Sequence, residues 1–169
     1  STDSSQKVIA QWESNPRIRI IFQQNKGLNI TNNIALRLAR GRYIMRLDAD
    51  DYLDENALQL LSQVLDREPE VGLVFPDYHL VDKKGEILET VRRHDFNDVE
   101  LFDQPAHGAC TMIRKRCLEE LGGYDESFRC QDGYELWIRF IQKYAVRNIN
   151  LPLFYYRQHP SSLTKQETT

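Results

Sequence analysis

An acidic run, Asp48-Ala49-Asp50-Asp51, follows directly after the apolar stretch 43–47 and constrains the fold more than any other feature. With Asp54 and Glu55 it places five carboxylates within eight residues. Because like charges repel, a strand end that collects them either faces open water or holds a cation. Carboxylates two residues apart beside a turn can bind a divalent metal and leave coordination sites for a phosphate. The run therefore indicates a nucleotide or nucleotide-sugar substrate, or else a solvated turn in which Asp54 caps the next helix.

The composition indicates one globular domain, expected over residues 1–169. A chain of 169 residues can bury one sizeable core but is short for two. Its formal net charge of -3 provides no basic surface for nucleic acid, and no apolar run approaches the roughly 20 residues that span a bilayer. Three cysteines without metal-site spacing, Cys110, Cys117 and Cys130, are typical of reduced thiols. We therefore expect a cytoplasmic protein without a nucleic-acid partner, with any membrane association peripheral at the inner face.

Strands and helices alternate through the first half of the chain. Apolar patterns predict strands at 17–22, 43–47 and 71–75, and helices at 3–13, from Asn29 or Thr31 to Gly41, and at 54–65. In the second half they predict a hairpin of strands 78–81 and 86–91, a strand at 110–113, helices at 115–121 and 134–144, and extended segments at 146–149 and 153–156. The alternation is typical of a parallel sheet covered by helices on both faces. Ligands of such sheets bind outside the carboxyl ends of the strands, where Asp48 and Asp50 lie.

Four short motifs follow one another along nearly the whole chain. They are Asn25-Lys26-Gly27-Leu28 with 39–44, Leu47-Asp48-Ala49-Asp50-Asp51, the segment 122–128 with 131–139, and Tyr156-Arg157-Gln158-His159 with Ser162. In this order they resemble the inverting family 2 glycosyltransferases. The resemblance implies a GT-A fold, which is a Rossmann-like α/β architecture with a mixed, mainly parallel sheet flanked by helices. It also implies a nucleotide-sugar-binding half, here 1–75, and an acceptor-binding half, here 76–169.

The resemblance assigns a role to each candidate site residue. Asp48 would hold the ribose or a metal-bound water, and Asp50 would coordinate Mg²⁺ or Mn²⁺ at the diphosphate. His159 stands where family members place a histidine near that metal, and Arg157 can pair with a phosphate. Asp132 resembles the general base that deprotonates the acceptor hydroxyl. The implied reaction is one in-line displacement that moves a sugar from a UDP-, GDP- or dTDP-sugar to a saccharide or lipid-linked acceptor and inverts the anomeric carbon.

Each of three assignments has a structural alternative. Asp132 precedes a helix predicted to begin near Tyr134 and can serve as its N-cap. His159 can be a loop residue hydrogen-bonded to the backbone, and Arg157 can pair with a surface acid. The family usually has adjacent Glu and Asp before the last helix, whereas this chain has Gln131 and Asp132 with an extra Gly133, which leaves this motif one position uncertain.

The beginning of the chain departs most from the family pattern. Ser1-Thr2-Asp3 resembles the end of an Asp-Gly-Ser-Thr-Asp element that normally closes the second strand. We therefore expect the first strand, first helix and second strand to be missing, so that the fold is amino-terminally truncated. The chain as given is then expected to bind nucleotide sugar weakly, to turn over little, and to self-associate through an exposed sheet edge.

The predicted activity is metal-dependent, inverting and non-processive transfer in the synthesis of cell-surface polysaccharide or glycolipid. Processive synthases of this family carry a Gln-x-x-Arg-Trp element, which this sequence does not contain. Its Arg139 lies in Trp-Ile-Arg-Phe instead. Two alternatives remain at this point. A nucleotidyltransferase uses a similar sheet with metal-binding carboxylates, and a catalytically inactive GT-A-like module would keep the fold for binding or assembly alone.

Overall fold

The computed structural model describes residues 3–93, 108–128 and 132–158. Its helices are α1 (Ser5–Ala10), α2 (Leu28–Leu38), α3 (Ala57–Arg67), α4 (Lys115–Glu120) and α5 (Asp132–Ile141). Its strands are β1 (Tyr43–Met45), β2 (Tyr52–Leu53), β3 (Val71–Val81), β4 (Ile87–Val91), β5 (Met112–Arg114) and β6 (Ala145–Arg157). No helix in the described part of the chain is long and apolar enough to cross a membrane.

The strands form one mixed sheet in the order β1-β5-β3-β6-β2, with β4 paired to β3 outside this path. The central pair β3 and β6 is parallel, whereas the other four strand pairs are antiparallel. The predicted mixed sheet flanked by helices is confirmed, but its pairing is less parallel than predicted. The reason is that β5 returns from the second half of the chain and inserts between β1 and β3, opposing both.

The core lies on both faces of β3. Val74 packs in one cluster with α3, whose Leu61 and Leu65 are fully buried, while Leu73 and Phe75 pack in the other cluster against α4 and α5. This division follows from the two-residue period of a strand, which sends successive side chains to opposite faces. The predicted doubly covered strand at 71–75 is thus confirmed.

Two predicted breaks in the sheet are absent. The segments 71–75 and 78–81 form one continuous strand, β3, because register shifts at Pro76 and Asp77 absorb the interruption. The buried Asp77 carboxylate stabilises this irregularity by accepting the N–H of Arg93 at 2.9 Å. Likewise 146–149 and 153–156 belong to the single strand β6. Since β3 runs across the boundary at 75/76, both predicted halves contribute to it, and the division into halves stays a prediction.

The predicted strand at 17–22 is wrong. The structure assigns no strand there, and Ile18, Ile21 and Phe22 are exposed, Phe22 by 55%. A strand requires a hydrogen-bonded neighbour, and among the described residues this segment has none in the sheet. Its tethers are side-chain contacts instead, such as the bond from Arg19 Nη1 to the Leu38 carbonyl at 3.2 Å.

Helix α2 begins and ends differently from the prediction. Its N-cap is Gly27, which has a φ of 91°, and neither Asn29 nor Thr31 caps it. Asn29 lies inside the helix and donates from Nδ2 to the carbonyls of Asp125 and Phe128 at 2.7 and 3.1 Å. The helix ends at Leu38, before the predicted Gly41. The amide of Asn29 therefore attaches α2 to the loop 122–128.

The loop 122–128 in turn contacts α5 through Arg139 in the last turn of that helix. Gly122 and Gly123 have φ values of 82° and 78° and end α4 as predicted. Arg139 of α5 donates to the carbonyls of Leu121 and Gly123, both at 2.9 Å, and pairs with Glu135. These bonds fix α5 against the glycine turn, and α5 begins at Asp132 rather than near Tyr134.

Candidate functional site

The acidic run forms a turn between β1 and β2. The N–H of Asp51 donates to the carbonyl of Asp48 at 3.2 Å and closes the turn. The three carboxylates differ in exposure, since Asp50 is exposed, Asp48 is partly buried and Asp51 is buried. One run of like charges therefore provides three different environments.

The carboxylate of Asp48 is held by the guanidinium of Arg46, two residues before it in the chain. Arg46 Nε lies 3.0 Å from Asp48 Oδ1, and Arg46 Nη2 donates to Oδ2 at 3.1 Å. A Cβ on Gly108 would come within 3.2 Å of Arg46 Nη2, so the glycine leaves room for the guanidinium. A carboxylate keeps further lone pairs after one hydrogen bond and one ion-pair contact, so Asp48 retains the capacity to accept a ribose hydroxyl or a water. Arg46 offsets one charge of the turn and orients this carboxylate.

Asp51 is the buried member of the run. Its Oδ1 accepts the N–H of Arg157 at 2.9 Å, while its Oδ2 has no hydrogen-bond partner among the described residues. Burial raises the pKa of the Asp51 carboxyl to about 6, and the charges of Asp50 and Asp48 act in the same direction. The bond from Arg157 opposes the increase.

The Arg157 guanidinium binds main-chain oxygens. Its Nε donates to the carbonyl of Asp50, and its Nη1 donates to the carbonyls of Asp82 and Lys83, each at 2.9 Å. The group also lies over the ring of Tyr52, 5.7 Å from its centroid. Arg157 thus joins the acidic turn to the turn between β3 and β4. The predicted phosphate contact of this residue stays a prediction.

Arg46 and Gly133, in the first turn of α5, line the same small cavity. The cavity has a volume of about 30 Å³, and its lining also includes Trp137 and Tyr124. Gly133 directly follows Asp132, the first residue of α5. The side chain of Asp132 lies outside the described atoms, so neither the general-base role nor the N-cap role is tested. Arg46, which pairs with Asp48 of the acidic turn, and Gly133, which follows Asp132, thus line one cavity.

The chain approaches residue 159 close to the acidic turn. Arg157 contacts the Asp50 carbonyl, and the N–H of Gln158 donates to the carbonyl of Val81 at 2.9 Å. His159 itself lies outside the described residues. Its proposed metal contact therefore stays a prediction. The prediction is supported by the path of the chain, which contacts the acidic turn at Arg157, the last residue of β6.

The carboxylate oxygens of the acidic turn fit a divalent cation that also binds the phosphates of a substrate. No group of three or more His, Cys, Asp or Glu side chains converges on a metal position within 3–93, 108–128 and 132–158. Mg²⁺, however, is usually held by one or two carboxylates together with substrate phosphates and water, rather than by a complete protein cage. The exposed carboxylate of Asp50 at a turn satisfies that requirement.

Two site features were missed in the sequence, and only one had a local signal. Arg46 stands two residues before Asp48 on an extended segment, a spacing that puts both side chains on one face. The contact between Asp51 and Arg157 joins positions 106 residues apart and leaves no periodic trace in a single sequence.

Residues 1–122 match the model of the family described as Glycosyl transferase family 2. The chain belongs to glycosyl transferase family 2. The matched range contains the acidic turn and both of its neighbouring strands, as well as the first glycine of the turn after α4. This family 2 domain is therefore a glycosyltransferase domain.

A curated relative supports the assignment. The chain is 26% identical over 152 residues to the chondroitin synthase of Escherichia coli, a match that covers 89% of this chain and 22% of that protein.

Two solved structures show the same fold. TarS 1-349 of S. aureus in complex with UDP has a TM-score of 0.74 at 15% identity, covering 95% of this chain and 49% of that one. The mannosyltransferase PcManGT of Pyrobaculum calidifontis, in complex with GDP-Man and Mn²⁺, has a TM-score of 0.72 at 20% identity. It covers 98% of this chain and 48% of that one. At these identities the likeness establishes the predicted GT-A fold alone. The family 2 chain spans less than half the length of each of these three proteins.

Proposed function

We propose that this family 2 domain transfers a sugar from a nucleoside diphosphate sugar to an acceptor hydroxyl, with Mg²⁺ or Mn²⁺ bound at Asp50 and inversion of the anomeric carbon. The observation that carries the proposal is the turn at the carboxyl end of β1. There Asp50 exposes its carboxylate while Arg157 holds its carbonyl, and Arg46 orients the neighbouring Asp48. An exposed acid beside an acid that is paired with Arg46 suits a cation and a ribose hydroxyl, respectively.

The candidate residues have separate roles at the sugar donor and at the acceptor. Asp48 would accept a hydrogen bond from the ribose or from a water on the cation, and Asp50 with His159 would hold the cation near the diphosphate. When bound, the cation supplies positive charge beside the departing nucleoside diphosphate. Asp132 accepts the proton of the acceptor hydroxyl as its oxygen attacks the anomeric carbon. Attack on the side opposite the leaving diphosphate inverts that carbon.

The donor and acceptor classes are proposed from the proteins that resemble the chain. TarS was solved with UDP and with UDP-GlcNAc, and PcManGT with GDP-Man and Mn²⁺. We therefore propose a UDP- or GDP-sugar as donor. The relation to a chondroitin synthase favours a saccharide acceptor and a place in polysaccharide synthesis. The absence of Gln-x-x-Arg-Trp favours transfer of single residues without processivity.

Isothermal titration calorimetry tests the proposal. UDP and GDP are titrated into the chain with and without MnCl₂, and the same is done for Asp50→Ala and for Glu55→Ala. Glu55 is an exposed carboxylate of the same acidic segment and is the matched control for loss of charge. We expect Mn²⁺-dependent binding that weakens by about tenfold or more in Asp50→Ala and is unchanged in Glu55→Ala.

Two results would contradict the proposal. Binding of UDP and GDP that is equally strong without Mn²⁺ would show that nucleotide binding does not require the cation. An equal loss in both variants would reduce the role of Asp50 to general surface charge.

A further inference from the structure

The acidic turn and the end of β6 are joined by two reciprocal contacts. The side chain of Asp51 accepts the main-chain N–H of Arg157, and the side chain of Arg157 donates to the main-chain carbonyl of Asp50, both at 2.9 Å. Each segment thus uses a side chain to bind the backbone of the other. We call this pair of contacts, formed by Asp51 and Arg157, the reciprocal clamp.

The reciprocal clamp is protected from water on the Asp51 side. Asp51 is 9% exposed, so solvent cannot readily replace the N–H of Arg157 as its partner. On the other side, Arg157 is held by the carbonyls of Asp82 and Lys83. The clamp therefore connects three loops or strand ends and has little freedom of its own.

The clamp acts directly on the backbone of the proposed metal ligand. Asp50 lies between Asp48, whose carbonyl accepts the N–H of Asp51, and Asp51 itself. Its own carbonyl is bound by Arg157. With a fixed peptide on its carboxyl side, the exposed side chain of Asp50 starts from a defined direction before any ligand arrives.

We propose that Asp51 is a positioning residue, which preorganises the Asp50 carboxylate for the diphosphate end of the donor through the reciprocal clamp. This inference rests on the proposed function, because it concerns the affinity of the same site. Preorganisation raises affinity by removing the ordering cost from the binding step. Loss of the clamp therefore weakens nucleotide binding although Asp50 itself is still present.

The chain offers a closely matched control. Asp77 is 2% exposed, and its Oδ1 also accepts a distant main-chain N–H at 2.9 Å, that of Arg93. Asp77 belongs to β3 and takes no part in the acidic turn. A variant at Asp77 thus loses the same kind of buried contact without loosening Asp50.

The experiment measures Mn²⁺-dependent binding of UDP and GDP by calorimetry in Asp51→Ala, Asp51→Asn and Asp77→Ala. Thermal melting is recorded for each variant. We expect Asp51→Ala to bind about tenfold more weakly than the unmodified chain. The amide of Asp51→Asn can still accept the Arg157 N–H, so this variant should stay within about threefold. Asp77→Ala should melt at a lower temperature and keep its affinity.

Unchanged affinity in Asp51→Ala, or an equal loss of affinity in Asp77→Ala, would overturn the inference. Should Asp51→Ala fail to fold, Asp51→Glu replaces it, since the extra methylene displaces the carboxylate from the Arg157 N–H at constant charge. The same loss of affinity is then expected, and full affinity would overturn the inference.

Hydrogen exchange separates this inference from the proposed function. Peptides that span residues 48–52 should exchange faster in Asp51→Ala than in Asp77→Ala, without any ligand present. If the unmodified chain shows no Mn²⁺-dependent binding, the proposed function fails, whereas the clamp is still judged by this exchange. Equal exchange of 48–52 in both variants would refute the clamp itself.

Discussion

The acidic turn and the segment 17–22 differ in the origin of their order. The turn is highly charged, yet main-chain and side-chain bonds from β6 and from Arg46 hold it in place. The segment 17–22 is rich in apolar residues, yet the structure assigns it no strand and leaves Ile18, Ile21 and Phe22 exposed. Apolar character alone thus gives no strand where a hydrogen-bonded neighbour is missing, while suitable long-range partners stabilise even a cluster of like charges.

The largest effect on stability within this comparison is expected for Arg157→Ala. The substitution removes a charged guanidinium that donates hydrogen bonds to three main-chain carbonyls. We therefore expect the free energy of unfolding to fall by about 3 kcal/mol. Arg147→Ala is the control on the same strand, because that side chain is 57% exposed and its ion pair with Glu68 is 3.9 Å long. It should change stability by less than about 0.5 kcal/mol. Urea titration measures both, and equal small losses would show that the turn does not depend on β6.

A smaller effect is expected from pH. The pKa of Asp51 is about 6 in the folded chain, above its ordinary value of 3.8, so the folded state binds this proton more tightly than the unfolded state does. The contribution of this group to stability therefore rises as pH falls from about 7 toward 4 and is lost as pH rises through 6.

The comparison of Asp51→Asn with the unmodified chain isolates this group. Urea titrations at a series of pH values, without divalent metal, should show that the variant lacks the gain in stability between pH 7 and pH 4.5. The same pH dependence in both proteins would mean that burial does not raise the pKa of Asp51 in the folded chain.

The smallest effect on stability is expected in the segment 17–22. Phe22→Ser should change the free energy of unfolding by less than about 0.5 kcal/mol, since the ring is already 55% exposed. Association through this exposed apolar surface should also weaken, because the substitution removes part of it. Light scattering at increasing protein concentration measures the association. A loss of several kcal/mol would instead show that this segment is packed in solution.

Local sequence patterns were sufficient for the elements that carry their own signal. The apolar periodicity of α3 and the acidic end of β1 predicted the helix and the turn, because both depend on neighbouring residues. The position of Gly122 and Gly123 predicted the end of α4 for the same reason.

Long-range pairing could not be predicted from these patterns. The insertion of β5 between β1 and β3 and the bond between Asp51 and Arg157 are contacts of distant segments. The continuity of β3 through Pro76 depends on register shifts against β6, and these shifts have no local sequence pattern. The family resemblance supplied the roles of Asp48, Asp50 and Asp132, which the fold alone does not establish.

Cation binding at Asp50 is visible in a crystal structure of the chain with Mn²⁺ and a nucleoside diphosphate, recorded with anomalous scattering from manganese. We expect an anomalous peak bonded to a carboxylate oxygen of Asp50, with the diphosphate on the same ion and with Asp51 still bound to the N–H of Arg157. A manganese ion bound away from the acidic turn, or a diphosphate bound without Asp50, would contradict this expectation.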